Sequence, residues 1–342
     1  MKSFSDLLIA WHAKSGRHHL PWQQSKDPYR IWVSEIMLQQ TQVATVIDYY
    51  HRFMKKFPTI KALAHADEEE VMQLWSGLGY YRRARFLHEG AQMIMDEMGG
   101  DFPSQFDVMM KIPGIGRSTA GAIAAFSFNQ KKAILDGNVK RVLSRYFLIT
   151  QWTGLPKTEK KLWDYAESLL PNKNIDTYTQ ALMDLGATVC NKKPQCELCP
   201  LKKTCLAFQK NKVDLVPAPR PQKKIPTEST HMIIIKHHDE ILLVKRPQDG
   251  IWGGLWSLPQ YENKSITPKA WAKKQFGLET NLIKKDLKAS TTFTHFKLDI
   301  IYSILETKSQ RAKTPHTWLS LNSIEGAAIP SIVKKILSKL HT

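Results

Sequence analysis

The sequence predicts a two-domain protein in which an all-α domain is followed by an α+β domain. Apolar residues recur with helical spacing up to about residue 210, a proline- and lysine-rich stretch follows, and strand-like patterns fill most of the remainder. The chain has 342 residues, of which 42% are apolar, which is enough for two packed cores. We therefore expect a helical domain at 1–210, a linker at 211–228 and a second domain at 229–342.

The helical part carries a clear start signal at Asp27-Pro28, since aspartate is a good N-cap residue and proline suits the first helical position. Ile31, Val33 and Ile36 follow it at roughly helical spacing. Glycine and proline separate several of the helical stretches, as is typical of distinct helices. Further stretches with a helical pattern lie at 62–75, 83–98, 119–128, 138–149, 160–170 and 176–190.

The stretch VPAPRPQKKIPTES, from Val216 to Ser229, combines proline and lysine with few large apolar groups. A proline-rich chain is extended and semi-rigid, and it buries little surface. This composition predicts the linker between the two domains.

Strand patterns dominate after the linker, in the segments HMIIIK, EILLVKR, WSLPQY and FKLDIIYSIL. Two helical patterns accompany them, around Lys269–Phe276 and Ser331–Leu340. Strands mixed with a few helices predict an α+β domain.

The balance of charge indicates a polyanionic partner. Forty-nine lysines and arginines against 31 acidic residues give a formal net charge of +18, well above the roughly 2–8 that suits a small soluble domain. A membrane is disfavoured as the partner, because the apolar stretches fall far short of the ~20 residues that a span needs. The N-terminus, with Asp6 in a short apolar run, is a poor signal peptide, and we expect an intracellular, reducing location.

All the cysteines lie in one segment, CNKKPQCELCPLKKTC, which predicts a metal centre. Five residues separate Cys190 from Cys196, two separate Cys196 from Cys199, and five separate Cys199 from Cys205. This spacing favours a [4Fe–4S] cluster. Zinc is the alternative, although the segment has one CxxC knuckle rather than two and contains no histidine. Disulfides are disfavoured by the expected location, and four unliganded thiols are the weakest interpretation.

The segment IPGIGRSTAGAI, at 112–123, predicts a tight turn followed by a helix. Gly114 and Gly116 permit the turn and leave room for a phosphate to approach the backbone. The helix that starts near Ser118 offers free N–H groups to that phosphate, and Arg117 adds positive charge. The pattern fits a sequence-independent grip on a DNA backbone, while a plain helix–turn–helix is the simpler alternative.

Asp136 follows the second helix of this hairpin, in the segment LDGNVKRVL. Either Asp136 or Asn138 is well placed to cap the next helix, which is a purely structural role. The same two residues also offer a carboxylate and an amide at the mouth of a helical cleft.

The hairpin, the aspartate after it and the cysteine loop together resemble the helix–hairpin–helix DNA glycosylase superfamily, in its endonuclease III branch, over residues 1–210. Four segments are more specific and resemble the adenine DNA glycosylases of the MutY group. They are SEIMLQQTQVATV (34–46), GLGYYRRAR (77–85), GRSTAGAI (116–123) and LDGNVKRVL (135–143). The resemblance continues into the second domain and covers nearly the whole chain.

The resemblance implies a monofunctional glycosylase that removes adenine opposite 8-oxoguanine or guanine. It implies that Glu35 is the general acid, that Asp136 stabilises or bonds the sugar cation, and that Asn138 orients water and Asp136. Ser118 stands where strand-nicking relatives have a Schiff-base lysine, so we expect an abasic-site product. The alternatives are a pyrimidine glycosylase of the endonuclease III type and a non-catalytic Fe–S DNA-binding protein.

The resemblance also implies how the duplex is probed. Gln39, Gln40 and Tyr80 correspond to residues that contact or wedge the base stack, although core packing is an alternative for Tyr80. Arg82, Arg83 and Arg85 are either phosphate contacts or a solvated face. The implied partner is double-stranded DNA bound by a monomer in the bacterial cytoplasm, at the nucleoid.

The second domain resembles the Nudix fold. Trp271, Lys274 and Gln275 stand at the carboxylate positions of active Nudix hydrolases, so we expect the metal site, and with it nucleotide hydrolysis, to be lost. Residues Phe293, Thr294 and His295 match the 8-oxoguanine-recognition segment of the family. Two departures from the family pattern stand out. Thr294 replaces the usual serine. The spacer between Cys190 and Cys196 has five residues rather than the usual six.

Overall fold

The computed structural model describes residues 2–221, 225–261 and 266–340. Residue contacts divide the described chain into two units. The first comprises 2–66 and 86–221, and the second comprises 67–85 together with the described residues from 225 onward. The helices and strands, in chain order, are α1 (Phe4–Ser15), α2 (Pro28–Leu38), α3 (Val43–Lys56), α4 (Ile60–Ala64), α5 (Glu68–Trp75), α6 (Arg82–Glu97), α7 (Phe106–Met109), α8 (Arg117–Phe128), α9 (Gly137–Tyr146), α10 (Pro156–Ser168), α11 (Ile175–Asp184), α12 (Leu206–Gln209), β1 (Thr227–His237), β2 (Glu240–Lys245), β3 (Trp256–Ser257), α13 (Pro268–Phe276), β4 (Thr280–Thr292), β5 (Lys297–Thr307), β6 (Thr317–Ser320) and α14 (Ser331–Leu337).

Helix α2 begins where the sequence predicts. Asp27 is its N-cap, with one carboxylate oxygen accepting a hydrogen bond from the Tyr29 amide at 2.9 Å, and Pro28 is the first helical residue. The single helix predicted at 62–75 is wrong, because α4 and α5 are separate helices. Asp67 stands in extended conformation between them and precedes three consecutive glutamates, which favour a helix N-terminus through the helix dipole.

The core of the first unit is an apolar cluster between α1, α8, α9, α10 and α11. Leu8, Val142, Leu162 and Leu182 are among its buried members, and each such side chain contributes about 1.5–3 kcal/mol when fully buried. Helix α2 packs against α8 with Trp32 and Ile36 buried. This packing holds α2 against the helix that follows the hairpin turn.

The second unit is built on a mixed sheet in the order β3-β2-β1-β5-β4, with β6 beside β2. Strand β1 runs parallel to β5 and antiparallel to β2. Alternate β1 residues join different cores, since Ile234 packs in a cluster with α14 and Ile233 packs in a cluster with α13. The sheet therefore has a helix on each face.

The predicted fold class, an all-α domain followed by an α+β domain, is confirmed. Helix α13 and the C-terminal helix lie where the sequence predicts them, whereas β4 and β6 have no counterpart in the predicted strands. No helix in the described part of the chain is both long enough and apolar enough to cross a membrane.

Candidate active site

Glu35 lies on α2 and faces a cavity of about 340 Å³ in the first unit. The walls come from α2, from the segment between α1 and α2, and from α11. Helix α2 can place a carboxyl group there because Trp32, Val33 and Ile36 anchor it in the core. The cavity volume is in the range typical of small-ligand sites.

Asp136 is the N-cap of α9, as its position in the sequence predicts. One of its carboxylate oxygens accepts a hydrogen bond from the Val139 amide at 2.8 Å, and the other accepts one from the Asn138 side-chain amide at 3.4 Å. The capping role and a chemical role are compatible, because capping fixes the carboxylate in one orientation at the helix N-terminus.

The pKa values of Glu35 and Asp136 both differ from their ordinary values, and the charge of Asp136 affects Glu35. Burial, followed by the nearby negative charge of Asp136, raises the pKa of Glu35 to about 8. Burial also raises the pKa of Asp136, but hydrogen bonds from Val139 and Asn138 and the positive charge of Arg141 oppose that rise. Burial therefore favours the protonated form of Glu35, whereas the hydrogen bonds from Val139 and Asn138 and the charge of Arg141 favour the charged form of Asp136.

Asn138 is fixed from the opposite side by Arg141. The guanidinium donates to the Asn138 amide oxygen at 2.7 Å, to the Gly186 carbonyl at 2.6 Å and to the Cys190 carbonyl at 2.7 Å. Gly186 lies against Asn138 so closely that an added Cβ would stand 2.8 Å from the Asn138 Cβ. Glycine is therefore required where the end of α11 meets the start of α9.

The hairpin joins α7 to α8 through a turn in which Gly114 has a φ of +79°, a conformation that favours glycine. Gly116 is the N-cap of α8 and makes no side-chain cap, and an added Cβ there would meet open space. The N-terminal amides of α8 are thus set up for an anion. The Ser118 hydroxyl accepts a hydrogen bond from the Leu135 amide at 3.0 Å, so it ties the hairpin to the residue before Asp136.

Arg117 is engaged by its own unit rather than extended into solvent. Its guanidinium donates to the Glu167 carboxylate at 2.5 Å and stacks over the Trp163 ring at 3.9 Å from the centroid. About half of each of the two charged side chains is exposed, 45% for Arg117 and 53% for Glu167, so the ion pair is worth little and is exchangeable for a phosphate contact.

A polar cluster on the cavity wall has no counterpart in the sequence analysis. The fully buried carboxylate of Asp184 accepts hydrogen bonds from the Arg17 backbone amide at 2.7 Å and from its guanidinium at 2.6 and 2.8 Å. It also accepts one from the Gln180 side chain at 2.9 Å, and His12 Nε2 lies 3.3 Å away. Asp184 thereby holds Arg17 and Gln180 in place where they line the cavity with Glu35.

The predicted duplex-probing residues lie on different units. In the first unit, the Gln39 side chain donates to the Thr119 hydroxyl of α8 at 3.4 Å, and the exposed Gln40 has a φ of +58°. In the second unit, Tyr80 is 53% exposed and has a φ of +50°. This exposure is inconsistent with core packing. Arg83, by contrast, is buried, and burial lowers its pKa to about 10.

The four cysteines line one small cavity of the first unit. A π-helical turn at Leu185–Val189 ends at Cys190, which brings it to the same cavity as the other three in spite of the shorter spacing. Arg145 of α9 contacts the cysteine loop, with its guanidinium 3.4 Å from the Cys190 Sγ and its carbonyl oxygen 3.4 Å from the Cys205 Sγ.

The four thiols are the candidate ligands of the metal centre that the sequence predicts. None of the cysteines forms a disulfide, and no group of three or more His, Cys, Asp or Glu side chains in the described ranges is arranged to hold one metal ion. Four cysteine sulfurs around one cavity are a donor set that suits a [4Fe–4S] cluster. The same donor set also suits zinc.

In the second unit, Phe293, Thr294 and His295 form the turn between β4 and β5, closed by a hydrogen bond from the Phe293 amide to the Phe296 carbonyl at 2.8 Å. The Phe293 ring stacks on Phe296 and lies 5.8 Å from the Trp252 ring. Thr294 and His295 are exposed at the tip. The packed rings of Phe293, Phe296 and Trp252 therefore support a turn that exposes Thr294 and His295 to solvent.

The helix at the Nudix metal position, α13, has its substituted residues in ordinary structural roles. Trp271 packs with Tyr261 and Phe276, whereas Lys274 and Gln275 are exposed. Its neighbour Lys273 forms an exposed ion pair with Glu279 at 2.6 Å.

Comparisons with known families assign both units. Residues 33–168 match the model described as HhH-GPD superfamily base excision DNA repair protein, and residues 230–339 match the NUDIX domain model. The adenine DNA glycosylase of Buchnera aphidicola subsp. Acyrthosiphon pisum is 41% identical over 339 residues, which cover 98% of this chain and 96% of that protein. The adenine DNA glycosylase of Rattus norvegicus is 33% identical over 401 aligned residues, covering 98% of this chain and 77% of that protein.

Solved structures agree on the fold of the helical part. A thermostable thymine-DNA glycosylase matches 60% of this chain and 95% of its own with a TM-score of 0.56 at 30% identity. Endonuclease III in a non-covalent complex with DNA matches 60% of this chain and 94% of its own with a TM-score of 0.52 at 22% identity, a likeness of fold alone.

Proposed function

Because this chain belongs to the adenine DNA glycosylase family, we propose that it removes adenine from pairs with 8-oxoguanine or guanine by using Glu35 and Asp136. The chain is a hydrolytic N-glycosylase of base excision repair, and DNA is its substrate. The opposing base, the residue roles and the cofactor are the specific parts of the proposal.

The reaction breaks the bond between adenine N9 and the sugar C1′. Glu35 donates its proton to adenine N7, so the base leaves neutral with the bonding electron pair. Positive charge develops on the sugar, and the Asp136 carboxylate stabilises it. Water then adds to C1′ and gives up a proton to Glu35, with Asn138 orienting both the water and Asp136. The products are adenine and an abasic site.

The observation that carries this assignment is the burial of the Glu35 carboxyl group near Asp136, which raises its pKa to about 8. A carboxyl group with a pKa near 8 is still protonated at neutral pH and can act as an acid. The hydrogen bonds from Val139 and Asn138 favour the charged form of Asp136, which the sugar cation requires. The environments of the two groups match the two roles.

The cavity beside Glu35 supports a site for the extruded base. Its 340 Å³ volume accepts a planar purine, and Arg17 and Gln180 offer donors and acceptors for the base edge. Asp184 holds both side chains in place, which lowers the entropy lost on binding.

We assign the reading of the duplex to residues of both units. Tyr80 wedges the base stack, Gln39 and Gln40 contact the duplex beside the extruded base, and Phe293, Thr294 and His295 contact the opposing 8-oxoguanine or guanine. Exposure of Tyr80, Gln40, Thr294 and His295 supports these roles.

The hairpin supports the phosphate contact through the amides after Gly114 and Gly116, with Arg117 exchanging Glu167 for a phosphate. Ser118 cannot form a Schiff base. Borohydride treatment during turnover is therefore expected to leave no covalent protein–DNA complex, and trapping at the rate of adenine release would contradict the monofunctional assignment.

We propose that Cys190, Cys196, Cys199 and Cys205 hold a [4Fe–4S] cluster that fixes the loop structurally. Arg145 and the carbonyl contacts of Arg141 support the loop from the side of α9. Metal analysis of the purified protein is expected to give iron and sulfide with broad visible absorbance. One zinc per chain without that absorbance would contradict the cluster and establish a structural zinc site instead.

The decisive assay uses the purified protein with duplexes that carry one A:8-oxoguanine or A:G pair, followed by alkali to cleave abasic sites. Strand cleavage at the adenine is expected for both duplexes, and it should disappear in Asp136→Asn protein that binds and melts as the wild type does. Cleavage at a damaged pyrimidine alone would favour an endonuclease III-type activity. We further expect the protein to sediment as a monomer and to act at the nucleoid in the bacterial cytoplasm.

A further inference from the structure

We propose that Arg85 and Lys334 are positioning residues for Tyr80, so that the wedge and the opposing-base contacts form one reading device within the second unit. The inference rests on the proposed role of Tyr80. The segment 67–85 contains α5 and the turn with Tyr80, and it belongs to the second unit. The proposal follows from the contacts that hold this segment to the rest of the unit.

The turn from Ser76 to Tyr81 is internally fixed. The Trp75 indole N–H donates to the Gly79 carbonyl at 3.1 Å, and the Arg83 guanidinium donates to the carbonyls of Leu78 and Gly79 at 3.3 and 3.0 Å. Arg83 is buried and its guanidinium lies 5.5 Å from the Tyr80 ring centroid. The position of the Tyr80 ring is therefore set by the backbone of the turn.

Lys334 anchors the start of the turn. Its ammonium group, on α14, donates to the Ser76 hydroxyl at 2.9 Å and to the Glu325 carbonyl at 2.5 Å. The Ser76 hydroxyl in turn donates to the Ala327 carbonyl at 2.7 Å. Charged hydrogen bonds of this kind are stronger than neutral ones, so α14 and the chain before it fix where the turn begins.

Arg85 anchors the other end of the segment. Its guanidinium donates to the Gln248 carbonyl at 3.1 Å and to the Gly253 carbonyl at 2.5 Å, while Glu68 accepts from its Nε at 3.4 Å. Gly254 leaves the space for this contact, because a Cβ there would stand 2.7 Å from the Arg85 side chain. Each nitrogen of the Arg85 guanidinium already donates to an acceptor in this unit, so Arg85 serves the fold of the unit rather than a DNA phosphate.

The same loop reaches the predicted opposing-base contact. Trp252 lies between the two carbonyls that Arg85 binds, and its ring contacts Phe293 at 5.8 Å between centroids. Tyr80 and the turn at Phe293–His295 are thus linked through Arg85, the 248–253 loop and Trp252. A change of the Arg85 or Lys334 contacts is expected to displace the wedge relative to the opposing-base contacts.

The test compares Lys334→Met and Arg85→Met proteins with Lys335→Met, which removes the same charge from an exposed position on the same helix. Adenine release is measured in single turnovers on A:8-oxoguanine duplex, with and without the additional change Tyr80→Ala. Loss of a charged hydrogen bond predicts that either variant slows release about five- to tenfold. Lys335→Met is expected to match the wild type.

The double-mutant comparison separates positioning from general stability. If Lys334 and Arg85 act through Tyr80, neither change slows release more than about twofold once Tyr80 is alanine. Equal slowing in both backgrounds, or no slowing in either, would overturn the proposal. Arg85→Lys, which retains the charge and a donor, is expected to restore part of the rate if Arg85→Met melts early. Absence of adenine release by the wild type would instead contradict the proposed function.

Discussion

Glu35 and Asp136 show what a sequence reveals of single residues and what it does not. Their sequence contexts, LQQTQ after Glu35 and LDGN around Asp136, were sufficient to propose them as a pair. The protonation of the pair depends on burial and on mutual charge, which no local pattern encodes. Arg17 and Gln180 went unpredicted for a similar reason, because only the buried Asp184 brings these two distant side chains to one wall.

The raised pKa of Glu35 predicts a pH-dependent stability difference. The folded protein holds Glu35 protonated up to about pH 8, whereas the unfolded chain ionises it near its ordinary value of 4.5. The resulting stability is complete below about pH 4.5 and is lost as pH rises towards 8. Glu35→Gln, neutral throughout, is therefore expected to melt a few degrees above the wild type at pH 8 and close to it at pH 5.

Thermal melting of the two proteins across this pH range checks the prediction. Glu89→Gln removes an exposed carboxylate from α6 and provides the control, which we expect to follow the wild type. A constant difference between Glu35→Gln and wild type at all pH values would mean that Glu35 is not held protonated.

At the scale of elements, helices with a buried stripe were predictable, and exposed strands were not. α2 and α13 begin close to the predicted positions because N-cap residues and proline mark them. Strand β4 went unpredicted because it lies at the edge of the sheet and its first half is almost entirely exposed, so apolar alternation is weak over most of its length. The π-helical turn at Leu185–Val189 also went unpredicted, and within it Gly186 lies close against Asn138 of α9.

That contact between the end of α11 and the start of α9 gives a second prediction. Gly186→Ala places a methyl group 2.8 Å from the Asn138 Cβ and must shift the first turn of α9. Because small displacements of catalytic groups have large effects, single-turnover adenine release is expected to fall at least about tenfold. Gly137→Ala adds the same methyl group where nothing lies within 4 Å and should change the rate much less. Equal rates for the two variants would refute the packing argument.

At the scale of the whole molecule, composition predicted two domains, and contacts revealed a division that composition does not show. The shift from helical to strand patterns and the linker between them are visible in the sequence. The association of 67–85 with the C-terminal unit depends on hydrogen bonds from Ser76 and Arg85 to carbonyl groups far along the chain. Contacts with backbone carbonyls leave no side-chain pattern in the partner segment, so sequence reasoning had no signal to follow.

The net charge of +18 belongs to the whole molecule and predicts strongly salt-dependent DNA binding. Each phosphate contact releases counterions, so duplex affinity of the Glu35→Gln protein is expected to fall roughly a thousandfold between about 50 and 200 mM salt. Fluorescence anisotropy with a labelled duplex measures this. A similar slope for duplexes with and without the A:8-oxoguanine pair is expected, since phosphate contacts are independent of sequence. An affinity that hardly changes with salt would contradict a binding mode dominated by phosphate contacts.

The placement of 67–85 constrains how domains of this family can be exchanged. A chimaera joined within 211–228, where the sequence predicts the linker, would set Ser76 and Arg85 of one parent against carbonyl groups of the other. A graft that keeps the second unit intact must carry 67–85 with it, which requires junctions at 66 and 86 as well as at the linker. The hydrogen bond between Ser76 and Lys334 joins two residues that are 258 positions apart in the chain, and such a graft preserves it only if it carries both.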